Sequence, residues 1–132
     1  MRMKNEQPSI NAGRIRPDLR VGALARLAFE TYFQSPDRQA QEIDQLQDGE
    51  YCHKTFLLNR TMPALVPVST IEAAPEGRHV GERGFYQNHY YARPILEADG
   101  IKYRLVNDWK EPNPRDNRTP LEDWIRRMRL DL

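Results

Sequence analysis

The sequence predicts an α+β domain: a small antiparallel sheet of about four strands, with an N-terminal helical hairpin and a C-terminal helix packed on it, in the order ααββββα. Three observations carry this. Residues 16–34 repeat apolar side chains at helical spacing. Asp99-Gly100 stands between two runs of strand-forming residues. Thr119-Pro120-Leu121-Glu122 opens a short amphipathic stretch near the end of the chain.

Residues 1–13 are polar, with Pro8 and Gly13, and read as an N-terminal arm ahead of a single domain over 14–132. The first helix, "RPDLRVGALARLAFETYFQ", has Pro17 suited to its first turn. Apolar residues cover most of its circumference, leaving Asp18, Gly22, Arg26, Glu30 and Gln34 as a narrow polar stripe. Arg26 and Glu30 are spaced to pair across one turn. A helix so apolar is either buried centrally or shared with a partner. "SPDRQAQEIDQLQDG" reads as a second, surface helix, with Ser35 at its N-cap and Gly49 past its end.

The pattern then shortens. Residues 51–59 and 64–72 read as strands, with Pro67 marking an edge or a bulge. Residues 73–84 form a loop. Residues 85–98 and 101–109 make a long hairpin around Asp99-Gly100, whose two positions need positive φ in a type I′ turn. That turn sets Ala98 opposite Ile101, Glu97 opposite Lys102 and Leu96 opposite Tyr103. Continued outward, the register sets Arg93 opposite Val106, Tyr91 opposite Asp108 and His89 opposite Lys110. Pro94 interrupts it, having no N–H for the ladder, so the ladder stops or bulges there. In the last helix, 119–130, Thr119 and Glu122 form a capping box, and Leu121, Trp124, Ile125 and Met128 make one apolar face.

Composition narrows the function classes. With 20 Lys/Arg against 19 Asp/Glu, the formal charge of +1 is far from that of a dedicated nucleic-acid domain. The charge is uneven: residues 1–26 hold six Lys/Arg and two Asp/Glu, whereas 27–51 hold one Arg and six acids. That contrast permits complementary contact within the chain or between copies. The single cysteine, Cys52, excludes an internal disulfide and a multi-cysteine zinc site. The start "MRMKNEQPS" has no apolar stretch after it, and no apolar run reaches the ~20 residues of a membrane span, so a cytoplasmic protein is expected, with no membrane partner.

Several constellations bear on chemistry. "LEADGIKYRLVNDWK" resembles the PD-(D/E)xK nuclease pattern over residues 96–110, which would give Asp108 and Lys110 to a metal-dependent cleavage site. The register argues against it. Glu97 and Asp108 share a face but lie about 20 Å apart at ~3.3 Å per residue, and the leading Pro-Asp is missing. Glu72 or Glu82 would have to supply the second carboxylate. The outer hairpin face offers His89, Tyr91, Arg93, Arg104 and Lys110, cations interleaved with an aromatic in the manner that tracks phosphates and stacks bases. A solvated face with a Glu97–Lys102 charge pair is the plainer reading. Arg78, His79 and Arg83, among Gly77, Gly81 and Gly84, could receive an anion, or could simply connect two strands. Cys52 and His53 point to opposite faces of a strand and do not form a nucleophile pair. Three scattered histidines show no metal-ligand spacing, so neither metal nor cofactor is expected.

The expectation is a non-catalytic interaction or assembly protein, docking into a larger complex or onto its own copies through its arm and apolar helices. Arg14, Arg16, Arg20, Phe29 and Phe33 are its candidate contacts. Nucleic-acid binding through the hairpin face is the alternative, and a metal-dependent nuclease the third.

Overall fold

The hairpin turn forms as its sequence requires, with φ of 53° at Asp99 and 82° at Gly100. It joins two antiparallel strands in a computed structural model that describes residues 13–73, 88–112 and 115–132. The arm up to residue 12, the loop with Arg78, His79 and Arg83, and Glu82 lie outside the described residues. Strand β2 is Tyr90–Ala98 and strand β3 is Ile101–Val106; the order along the chain places a shorter β1, Leu65–Pro67, before them.

Next to the turn the pairs are Ala98 with Ile101, Glu97 with Lys102, Leu96 with Tyr103 and Ile95 with Arg104. Beyond Ile95 the register shifts, and Val106 meets Tyr90 rather than Arg93. Residues 91–94 therefore bulge out of the ladder around Pro94, the residue with no N–H to give. This corrects the outer pairs of Arg93, Tyr91 and His89. β3 is central: β1 pairs with its other side, Leu65 with Leu105 and Val66 with Arg104, and all three strands are antiparallel. Pro67 sits on an edge strand, where a missing N–H is tolerated.

The sheet has three strands among the described residues, one fewer than expected, because residues 51–56 of the expected strand 51–59 are helical. Asp48 caps that helix, α3 (Gly49–Phe56), its carboxylate accepting from Tyr51 N at 2.9 Å. Cys52 and Phe56, four residues apart, share its buried side. Residues after Pro67 turn into another helix, α4 (Val68–Ala73), instead of extending the strand. The expected second helix is also divided. Ser35 ends α1 (Val21–Gln34), and α2 (Ala40–Gln45) begins only after Gln39. Gly49 opens α3 rather than closing α2, and the closing helix α5 runs Arg118–Arg127. Among the described residues the order is αααβαββα.

α1 is buried centrally by its own chain. Phe29 stacks on Trp124 of α5 at 4.8 Å between ring centres, with Phe56 and Trp109 packed around the pair. Each such fully buried ring contributes about 1.5–3 kcal/mol. α1 starts later than Pro17 suggested, because residues 15–19 are held by other groups. Arg118, almost wholly buried, donates to Leu19 O (2.6 Å), Ile15 O (2.8 Å) and Arg16 O (2.8 Å). The expected capping box is absent as well. Asp116 accepts from Arg118 N and Thr119 N, while Glu122 turns inward to Arg118 Nε at 3.1 Å.

Candidate partner-docking face

The regular part of the hairpin presents Ile95, Glu97, Lys102 and Arg104 on the side away from Leu96 and Tyr103, as alternation requires. α4 borders this outer face on one flank, and α1 with the 91–94 bulge borders it on the other. Two grooves result. One, about 800 Å³, lies between α4 and the hairpin, with Val68, Glu72, Ile101 and Lys102 on its walls. The second, about 840 Å³, lies between α1 and the bulge and is walled by Arg26, Leu27, Glu30, Arg93 and Pro94. Both include Ile95 and Arg104, so the grooves meet at the Ile95–Arg104 pair.

The meeting point joins apolar exposure to unused polarity. Ile95 is 42 % and Ile101 48 % exposed, two of the three exposed large apolar side chains among the described residues; Leu57 is the third and lies elsewhere. Arg104 Nε is buried without a hydrogen-bond partner. Such an atom ordinarily costs about 1–3 kcal/mol.

Arg26 reaches this face from the polar stripe of α1. Its guanidinium lies 4.7 Å from the centre of the Tyr91 ring, a cation–π contact, and it forms no ion pair with Glu30. Tyr91 in turn packs against α1 where Gly22 leaves room: a Cβ there would stand 2.8 Å from the Tyr91 hydroxyl. Burial pushes the Tyr91 hydroxyl pKa up, opposed in part by Arg26. Arg26 was not among the expected site residues. The interrupted stripe Gly22-Arg26-Glu30 on an otherwise apolar helix was the signal for it.

The hairpin candidates therefore divide. Arg93 and Arg104 line one groove, whereas Tyr91 is turned against α1. His89 precedes β2, its carbonyl accepting from Asn107 N at 2.8 Å. Lys110 lies 3.7 Å from Asp108, and shares a shallow depression at the start of α1 with Arg20. Asp108 also accepts from Arg115 at 2.7 Å, so its carboxylate is held between two cations. Glu72, the other described acid considered for a metal site, borders the α4 groove instead. No group of three or more His, Cys, Asp or Glu among the described residues is placed to hold a metal.

The expected partner contacts divide too. Phe29 and Phe33 lie in the chain's own core, Arg16 pairs with Asp18 at 2.9 Å, and Arg14 lies 3.8 Å from Glu122. Arg20 remains exposed at the N-cap of α1. Cys52 is enclosed, its sulfur donating to Leu46 O and accepting from Ala64 N, and burial pushes its thiol up to about 12. His53 is bonded to Leu58 O at 2.8 Å, away from any role beside that thiol.

No family model, curated protein or solved structure matches this chain. No helix among the described residues is long and apolar enough to cross a membrane.

Proposed function

We propose that this chain is a non-catalytic, cytoplasmic interaction protein that docks onto a protein partner through the outer face of its hairpin. The observation that carries the reading is Ile95, exposed on the outer face where the two grooves meet at Arg104. Ile101, exposed beside the turn and on the wall of the α4 groove, is a second apolar residue at the hairpin tip, on the Ala98 side of the sheet. Covering an exposed isoleucine contributes up to roughly 1.5–3 kcal/mol, and Ile95 within a charged rim supplies such a centre on the outer face. The apolar helix α1 supports the face from beneath, because its own apolar surface is already covered. The arm and the arginines at its end remain part of the proposal as peripheral contacts.

The test compares the chain with Ile95→Asp/Ile101→Asp and with Leu57→Asp in affinity capture from cells that produce it. The reading requires one protein recovered in near-equimolar amount with the natural chain and with Leu57→Asp, and lost with the double variant. Circular dichroism must be unchanged in all three. Light scattering during size-exclusion chromatography, with absorbance at two wavelengths, separates a second copy from a different partner. Loss with Leu57→Asp alone would sink the reading. Co-eluting nucleic acid would favour the basic residues along α1 and the bulge as a nucleic-acid surface.

A further inference from the structure

Six of the thirteen arginines among the described residues have an acid partner, Arg14 with Glu122 among them. Arg16 meets Asp18, Arg60 meets Glu50, Arg115 meets Asp108, Arg118 meets Glu122 and Arg126 meets Asp123. Three of the arginines without one gather on the groove between α1 and the bulge. Arg26, Arg93 and Arg104 make no ion pair with any described residue, and Glu30 is the one acid on the walls of that groove. Its walls are therefore net positive, and they are lined between the charges by Leu27, Pro94 and Ile95. A guanidinium with free donors is matched to carboxylate geometry, and the half-buried Arg104 spends no hydrogen bond of its Nε on the described residues.

We infer that this groove receives an acidic segment of the partner's chain, in which glutamate or aspartate side chains alternate with apolar ones. The carboxylates meet Arg93, exposed at the rim, and Arg104, half-buried where the two grooves join. The apolar residues meet Leu27, Pro94 and Ile95. This rests on the docking reading above and adds the chemistry of the occupant. A protein segment fits better than a nucleic-acid backbone, because the adjoining groove brings Glu72 and Glu97 beside Lys102 and Arg104. A continuous polyanion crossing from one groove to the other would meet both carboxylates, whereas a peptide can place an apolar residue there.

The experiment uses the full chain labelled with ¹⁵N and follows the arginine Nε–H signals by NMR. The probes are a capped peptide of alternating leucine and glutamate, its leucine–glutamine counterpart, and a single-stranded oligothymidylate. The glutamate peptide should move the Arg104 Nε–H signal and bind at least about tenfold more tightly than the glutamine peptide. Arg93→Gln, a change at an exposed position, should remove most of that difference. Equal binding of the two peptides would overturn the inference. So would no shift at Arg104 up to roughly 1 mM glutamate peptide, or a shift with oligothymidylate alone. Capture that still depends on Ile95 and Ile101 would then show that the docking reading stands and only the acidic occupant has failed.

Discussion

Arg118 and Arg104 are both charged residues set into the folded body, and their surroundings could hardly differ more. Arg118 is 3 % exposed, and its guanidinium is taken up by three backbone carbonyls, by Glu122 at 3.1 Å and by Glu111 at 3.5 Å. Arg104 has a buried Nε with no acceptor among the described residues, on the face that carries exposed Ile95. A fully satisfied buried cation ties distant parts of one chain together: here residues 15–19 to α5, about a hundred positions later. An unsatisfied one marks a place where the chain alone does not complete its own bonding. The first arginine belongs to stability and the second, in our account, to recognition.

Substitutions can break this comparison. The largest effect is expected for Arg118→Ala, which strands Glu122 inside and leaves three carbonyls without their donor. It should cost about 3–5 kcal/mol in urea unfolding. Asn117→Ala comes next. Asn117 is wholly buried, donates to Phe56 O at 2.7 Å and accepts from Lys110 N at 2.7 Å, so its loss should cost about 1–3 kcal/mol by the same measurement. Arg104→Ala should change stability by less than about 1 kcal/mol, since no internal bond of its Nε is lost. If Arg104→Ala destabilised the chain as much as Arg118→Ala, the distinction between the two arginines would collapse.

Cys52 sharpens the same point at small scale. Its thiol should resist alkylation at neutral pH in the folded chain and react once urea unfolds it, as mass spectrometry would show. The pH dependence has a definite sign. In the unfolded chain the thiol titrates near ~8.5, whereas the folded state holds the proton up to about 12. Its stabilising contribution is therefore complete below about 8.5 and declines as pH rises toward the folded value. A Cys52→Ala chain should show a shallower loss of stability over that window. Rapid alkylation of the folded natural chain would mean that α3 opens more readily than its packing implies.

What could be read from the sequence depended on how local the deciding interaction was. Residues 95–104 were legible because Asp99-Gly100 fixes their register by itself. Past Pro94 the pairing depends on how four residues are accommodated against α1, which no short pattern encodes. Residues 51–59 allowed either reading: their alternation suited a strand, but Asp48 capping and the docking of Phe56 against Trp109 and Trp124 made 51–56 helical. The box at Thr119 and Glu122 failed because Glu122 had a stronger partner in Arg118, whose other acceptors lie near residue 15. The candidate face shows the same division. Arg104 could be set on this surface from strand alternation beside the turn, whereas Arg93 reaches it by way of the bulge. Arg26 belongs there only because α1 packs beside the bulge, and Tyr91 leaves the surface because Gly22 gives it space.

The measurement that bears most directly on the docking claim is site-specific photo-crosslinking in the producing cell. A photoreactive residue would be placed at position 95, at 101, or at the equally exposed Leu57 as a control. The account predicts crosslinks to one and the same protein from positions 95 and 101, and none from position 57. Crosslinks from position 57 alone, to nucleic acid alone, or from no position would contradict it.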